Sequence, residues 1–234
     1  MDAMQGILLV DKPSGWTSFD VVNYVRRLVA THQNKKPKNC KVGHTGTLDP
    51  LATGLLVLVV GKDYTRRAGE FSKLDKTYEV VMKLGETSST GDEEGVKTFV
   101  SRTEPPHADV QAALAKFTGE IMQTPPAFSA MKIDGVRAYK LARAGQEVKL
   151  EARPVTIYSS VLQSYEYPFV KFAAQVSSGT YIRSLVEDLG AALGTGAYMA
   201  GLRRTTVGNF RLDDAIFIGK DVDASLLAER LIRL

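Results

Sequence analysis

The sequence predicts an α+β protein whose sheet is mixed rather than doubly wound and parallel, and two features of its pattern carry that reading. Strand-like and helix-like segments follow one another without regular alternation. Some joints between them are tight turns and others long connections. One apolar run, Leu55–Val60, has the composition of a strand covered on both faces. No repeat of fixed period, low-complexity tract or long linker interrupts the 234 residues, so one domain over residues 1–234, carrying an insertion, is expected.

Gly6–Val10 reads as a short apolar strand, ended by the turn Lys12-Pro13-Ser14-Gly15, where proline fixes its own torsion and glycine permits positive ones. A helix should follow. Thr17 is placed to cap it, Asp20 sits in the first turn where the helix dipole favours a carboxylate, and Phe19, Val22, Val25 and Val29 recur on one face. The Leu55–Val60 strand ends at Gly61, and Tyr78–Leu84 is another strand. Gly85–Gly95 reads as a solvated loop, because Glu86, Asp92, Glu93 and Glu94 lack the alternate spacing of a calcium-binding EF-hand. Asp109–Phe117 is a helix burying Val110, Ala113, Leu114 and Phe117, stopped near Gly119. Beyond Pro125-Pro126, a turn at Asp134-Gly135 leads to a helix over Val136–Ala144 closed by Gly145. Val170–Val176 is a strand, Ser184–Leu193 a helix, and Ala224–Leu234 an amphipathic helical tail with Leu226, Leu227, Leu231 and Ile232.

A net charge of +4 and a pI near 9.0 lean toward a polyanionic partner, but distribution says more than the total. Arg26, Arg27, Lys35, Lys36, Lys38 and Lys41 occur with no acid among them, and Arg137, Lys140 and Arg143 form a second acid-free stripe. Either alone reads as solvated surface; together they read as cations that touch phosphates. The single cysteine, Cys40, excludes a disulfide framework and a multi-cysteine zinc site and fits a reducing compartment, with cytoplasm as the default. No apolar run approaches the roughly 20 residues of a spanning helix. His32, His44 and His107 are too scattered to suggest a metal constellation, and neither a phosphate-binding glycine loop ending in Lys-Ser/Thr nor a Gly-x-Ser-x-Gly elbow occurs.

The densest informative stretch is Gly43-His44-Thr45-Gly46-Thr47-Leu48-Asp49-Pro50-Leu51-Ala52-Thr53-Gly54. Pro50 biases Asp49 away from helical torsions, so Asp49 should sit on a constrained loop with its side chain projecting. On the residues alone it is either a turn aspartate bonded to nearby backbone N–H groups or a reactive carboxylate.

This segment, together with Gly6–Gly15, Lys76-Thr77-Tyr78, Pro125-Pro126 with Ser129-Ala130 and Lys132, Gly179-Thr180-Tyr181-Ile182-Arg183, and Leu202-Arg203-Arg204-Thr205, resembles the TruB-type tRNA pseudouridine-55 synthases. The blocks stand in the family's order over nearly the whole chain. The resemblance implies the pseudouridine synthase fold, a mixed and mainly antiparallel sheet flanked by helices, with a thumb-like RNA-binding insertion at about residues 124–152; many bacterial members continue into a small PUA-type domain, and here the expectation departs from them, with no C-terminal PUA-type domain. It implies isomerisation of the TΨC-arm uridine of tRNA: the base is flipped out, its bond from N1 to the ribose is cleaved, and it is rejoined through C5. No cofactor, metal or protein partner is implied, and the enzyme is expected to be a cytoplasmic monomer.

The site residues follow from the same resemblance. Asp49 matches the catalytic carboxylate, acting as nucleophile on the ribose or as the base that starts an elimination. Arg183 matches the arginine that pairs with it and favours its ionised form. Tyr78 matches the tyrosine stacking on the target base and Tyr181 a second pocket tyrosine. If Thr180–Arg183 is extended, Tyr181 and Arg183 point to the same side. His44 matches a residue filling space near the displaced nucleotide, Leu202 the apolar lining of the base pocket, and Lys12 and Lys132 lysines near the site or the RNA. Two rivals stand beside this reading: a guide-RNA-directed synthase of the H/ACA type, and an RNA-folding module for which catalysis is incidental.

Overall fold

The computed structural model of the chain describes residues 4–129, 131–133, 135–146, 148, 150–218 and 222–233. In chain order they form β1 (Gly6–Lys12), α1 (Ser18–His32), β2 (Val42–His44), β3 (Thr53–Val60), α2 (Lys62–Arg66), α3 (Ala68–Ser72), β4 (Lys76–Leu84), β5 (Glu86–Ser88), β6 (Lys97–Phe99), α4 (His107–Lys116), β7 (Gly119–Gln123), β8 (Lys132–Ile133), β9 (Val136–Arg137), α5 (Ala138–Arg143), β10 (Arg153–Glu166), β11 (Phe169–Val176), α6 (Ile182–Ala192), β12 (Ala197–Val207), β13 (Phe210–Arg211), β14 (Ile216–Phe217) and α7 (Ala224–Glu229). Strand pairing is mostly antiparallel, with parallel pairs β1–β14 and β3–β12, and helices flank the sheet; the fold is α+β with a mixed sheet. The chain divides into two compact units, residues 1–78 with 202–234 and residues 79–201.

In the first unit β3 is central, because every residue from Gly54 to Val60 is buried and only a strand covered on both faces can be apolar throughout. One side of β3 pairs with β1, from Gly6↔Val60 to Lys12↔Gly54. On the other side, β2 pairs with its far end (His44↔Leu58) and β12 with its start (Arg204↔Gly54). The segment between β2 and β3 therefore leaves one end of β3 and returns to the other. One face buries Ile7, Leu9, Leu55, Val57 and Val59 with Tyr64, Phe71 and Val207.

α1 begins with a full capping box: Thr17 Oγ1 accepts from Asp20 N–H, and the Asp20 carboxylate accepts from the Thr17 hydroxyl and then from Thr17 N–H, which lowers the Asp20 pKa. Its buried stripe is Ser18, Val21, Val22, Val25 and Val29, not the stripe through Phe19 that was expected. Phe19 lies one helical step away, 59% exposed, with the Arg26 guanidinium 5.8 Å from its ring.

In the second unit β10 pairs antiparallel with β11 on one side and β7 on the other, and α4 packs on β10 and α6. Buried residues of α4 are Val110, Ala113 and Leu114, as the periodicity predicted, with Phe117 half-buried at its C-cap. Gly85–Gly95 is not all solvated loop. Glu86–Ser88 pairs with Lys97–Phe99 as a hairpin, and Asp92 is buried. The helix expected over Val136–Ala144 starts at Ala138, because Val136 and Arg137 pair with Ile133 and Lys132. Arg137 therefore leaves the expected helical stripe. Asp134 of the expected turn, and the side chains of Lys132, Arg137 and Arg143, lie outside the described residues. The helical tail is also shorter than expected: α7 stops at Glu229, and Ile232 exchanges backbone hydrogen bonds with Ile7, since an extended segment there extends the sheet edge. Among the described residues no helix is long and apolar enough to cross a membrane.

Candidate active site

The loop from Gly43 to Gly54 is held from beneath by buried cations and one serine. Lys12, fully buried, donates from Nζ to the carbonyls of Pro13 (2.9 Å), Trp16 (2.6 Å) and Pro50 (3.1 Å). Gly15 N–H reaches the same Pro50 oxygen at 2.9 Å. Ser18, at the start of α1, both accepts from Leu48 N–H (2.8 Å) and donates to Leu48 O (3.1 Å). Arg204, 1% exposed, donates from Nε to Leu55 O (2.7 Å) and from Nη2 to Gly46 O (3.0 Å). Asp49, half-buried, thus has the backbone fixed on either side at Leu48 and Pro50, and its own carbonyl accepts from Ala52 N–H at 3.1 Å. The charged donors of Lys12 and Arg204 strengthen their bonds to about 1.5–3 kcal/mol each, so the loop is preorganised rather than ordered on demand.

Two further features tighten this support. Lys76 is buried next to Arg204 and donates to Ser72 O at 3.0 Å and to Leu74 O. Burial first, and the Arg204 charge second, push its pKa down to about 8. Gly54 joins the loop to β3 at φ +96°, and a Cβ there would lie 2.3 Å from the Arg204 carbonyl oxygen, so only glycine permits the approach. On the opposite side of β12 from Arg204, Arg203 makes a two-pronged ion pair with Asp11 (2.8 and 3.2 Å) and reaches Thr53 Oγ1 at 3.3 Å.

The other expected residues of this unit are placed around the same strands. His44 ends β2, half-buried and opposite Leu58. Tyr78 is 7% exposed on the face of β4 that carries Lys76. Leu202, half-buried, shares the face of β12 with Arg204. Lys12, expected near the site or the RNA, is a buried anchor of the Asp49 loop.

Tyr181, Arg183 and Lys132 belong to the second unit. Thr180–Arg183 is not extended throughout: Tyr181 is the N-cap of α6, at φ −102° and ψ 112°, and Arg183 is already helical. The same-side argument fails because a helical step turns the chain by about 100°. The Tyr181 backbone is bracketed by Gln123, 1% exposed, whose Oε1 accepts from Tyr181 N–H (2.8 Å) and whose Nε2 donates to Tyr181 O (3.1 Å). Its ring lies under the Arg153 guanidinium at 5.3 Å. Arg183 is 6% exposed and donates to Thr90 O (3.1 Å) and Phe128 O (2.8 Å), with Asp92 Oδ2 at 3.8 Å. These acceptors offset the cost of a cation in the first turn of a helix. Lys132 sits in β8, with its side chain outside the described residues.

Sequence reasoning missed the supporting groups. Asp92, whose Oδ1 accepts from Thr90 Oγ1 (2.5 Å) and Glu94 N–H (3.1 Å), was read as solvated because its cationic neighbour comes ninety-one positions later. Glu187 flanks it, its pKa raised by burial against the opposing pull of Arg183. Gln123, Lys76 and Arg204 carry no local signal of burial; Arg204 and Lys76 stood only inside the blocks of resemblance. Among the described residues no group of three or more His, Cys, Asp or Glu could hold a metal.

Comparison with known proteins identifies the family. Residues 32–182 match the model of the TruB family pseudouridylate synthase N-terminal domain, and residues 183–231 that of the tRNA pseudouridylate synthase B C-terminal domain. Proteins named tRNA pseudouridine synthase B are similar: one from Burkholderia mallei is 46% identical over 232 residues, 99% of this chain and 74% of that protein. One from Burkholderia lata is 45% identical over 94% of this chain and 66% of its own length. The chain thus spans about two thirds to three quarters of these relatives. Among solved structures, a Cbf5-Nop10-Gar1 complex matches with a TM-score of 0.69 at 30% identity, over 91% of this chain and 52% of that one. An archaeal box H/ACA sRNP Nop10-Cbf5 complex matches with a TM-score of 0.65 at 27% identity, over 96% of this chain and 53% of that one.

Proposed function

Because the chain belongs to the TruB family of pseudouridylate synthases, we propose that it isomerises the TΨC-arm uridine of tRNA, position 55, to pseudouridine in the cytoplasm, without a cofactor or protein partner. Asp49 is the catalytic carboxylate, attacking the ribose or starting an elimination, and Arg183 orients it through a fixed fork of donors. The uridine is extruded at a cost of a few kcal/mol, offset by stacking on Tyr78, with Tyr181, His44 and Leu202 lining the displaced nucleotide and Lys132 near the RNA. Lys12 serves the site through the Pro50 carbonyl.

The observation that carries this reading is the fixing of one carboxylate-bearing loop on both sides of Asp49 by Lys12, Ser18 and Arg204. A solvent-facing turn aspartate needs no such investment of buried cations. The test is tritium release from C5-labelled uridine in a tRNA: the parent chain releases it, whereas Asp49→Asn binds the RNA with parental affinity and releases none. Residual release by Asp49→Asn removes the carboxylate from the chemistry. Reaction on an isolated stem-loop, with no guide RNA or added protein, separates this reading from the guide-directed one. Leu51-Ala52-Thr53-Gly54 after the aspartate and the 46% identity to a relative named tRNA pseudouridine synthase B favour the former.

A further inference from the structure

In the second unit the turn between β5 and β6 directs its carbonyl groups at one ammonium. Lys97, the first residue of β6, folds back over that turn and donates from Nζ to Asp92 O (3.3 Å), Glu93 O (2.6 Å) and Gly95 O (2.9 Å). An ammonium has three N–H donors, and all three are taken. The ring of Tyr198, 2% exposed, lies against the same ammonium with its centroid 4.5 Å from Nζ. With its side chain 23% exposed and its donors occupied, Lys97 is not a free surface cation.

The turn that Lys97 gathers is the one that holds Arg183. Thr90 O accepts from Arg183 Nη1 at 3.1 Å, and Asp92 Oδ2 lies 3.8 Å from the same nitrogen. Asp92 thus meets two cations, Lys97 at its main-chain oxygen and Arg183 at its carboxylate. Its other carboxylate oxygen accepts from Thr90 Oγ1 (2.5 Å) and Glu94 N–H (3.1 Å), which ties the two Arg183 acceptors to each other. The turn is also close-packed, since a Cβ on Gly95 would lie 2.3 Å from Ser88 Oγ and 2.4 Å from Thr90 Oγ1.

Carbonyl dipoles aimed at one point repel each other unless a cation stands there. Without the ammonium they turn outward to water and carry Thr90 and Asp92 with them. We infer that Lys97 is a positioning residue for Arg183: by drawing the carbonyls of residues 92, 93 and 95 together, it fixes Thr90 O and the Asp92 carboxylate where the guanidinium needs them. The inference rests on the proposed function for what Arg183 does in turnover, the orienting of the catalytic carboxylate.

Lys97→Met tests it, because the stem that covers Tyr198 is kept and only the ammonium is lost. Tritium release at saturating tRNA, tRNA affinity and amide hydrogen exchange are measured on the same preparations. The Glu94 N–H, bonded to the Asp92 carboxylate, should exchange faster than in the parent. kcat should fall about tenfold or more while tRNA affinity stays parental, since a displaced orienting group costs turnover and not binding. In an Asp92→Asn background the same substitution should cost about threefold or less, because much of what Lys97 positions is already gone. Losses that multiply in the double variant overturn the inference, since Lys97 then acts independently of Asp92. Parental kcat overturns it, and so does an exchange rate equal to the parent's. A loss of tRNA affinity at parental kcat also overturns it and makes Lys97 a contact to the RNA. A parent that releases no tritium refutes the proposed function, and the Glu94 exchange rate then decides by itself whether Lys97 holds the Asp92 carboxylate in place.

Discussion

Lys12, Lys76 and Arg204 beneath the Asp49 loop and Lys38 and Lys41 in the connection ahead of β2 are the same kinds of side chain in two opposite conditions. The first three are buried and donate to backbone carbonyls; the other two are exposed and pair with no acid among the described residues. A buried cation surrounded by carbonyl oxygens fixes the backbone, since removing it strands several acceptors in a place water does not reach. An exposed cation fixes nothing and remains available to a partner. Charge type therefore says little about role in this protein until burial is known.

The sharpest way to break the contrast is Arg204→Leu. It leaves Gly46 O and Leu55 O unpaired and a void where a guanidinium sat, so unfolding should become easier by about 4 kcal/mol in urea titrations. Tritium release by the folded fraction should fall at least about a hundredfold, because the loop loses its register. Parental turnover in that variant would show that the loop does not need its anchor. Lys12→Met comes next: the stem volume is kept but the Pro13, Trp16 and Pro50 carbonyls lose their donor. A loss of about 2 kcal/mol is expected, with kcat falling more than KM rises.

The smallest effect is expected at Lys76, and it depends on pH. Its folded pKa, about 8, lies below that of an unfolded lysine, so between pH 8 and about 10.4 the unfolded chain binds more protons than the folded one. Parental stability should therefore gain a rising contribution across that window, which is absent below it. Lys76→Met removes this rise, and the two unfolding curves should diverge in favour of the parent between pH 7.5 and 9.5. Parallel curves would mean that the ammonium is solvated after all.

The elements set by local pattern were legible in the sequence. Thr17 and Asp20 announced the start of α1, the unbroken run Leu55–Val60 announced a central strand, and Val110, Ala113 and Leu114 announced the buried side of α4. What was not legible depends on partners far away in the chain. Asp92 looks like a solvated acid until Arg183 is folded beside it, and Val136 looks helical until Ile133 pairs with it. Ile232 follows an amphipathic pattern but is claimed by the free edge at Ile7. Within the candidate site, Asp49 was marked by its glycine-rich surroundings, whereas Gln123, which brackets both polar backbone atoms of Tyr181, is an ordinary residue in an ordinary strand.

The contact at Gly54 has a consequence for how this protein can vary. With 2.3 Å between a notional methyl carbon and the Arg204 carbonyl, the two backbones act as their own spacing gauge, and not even the smallest side chain can serve as a shim. Selection can therefore tune the loop only through the anchors around it, never by loosening the seam where it is sewn into the sheet.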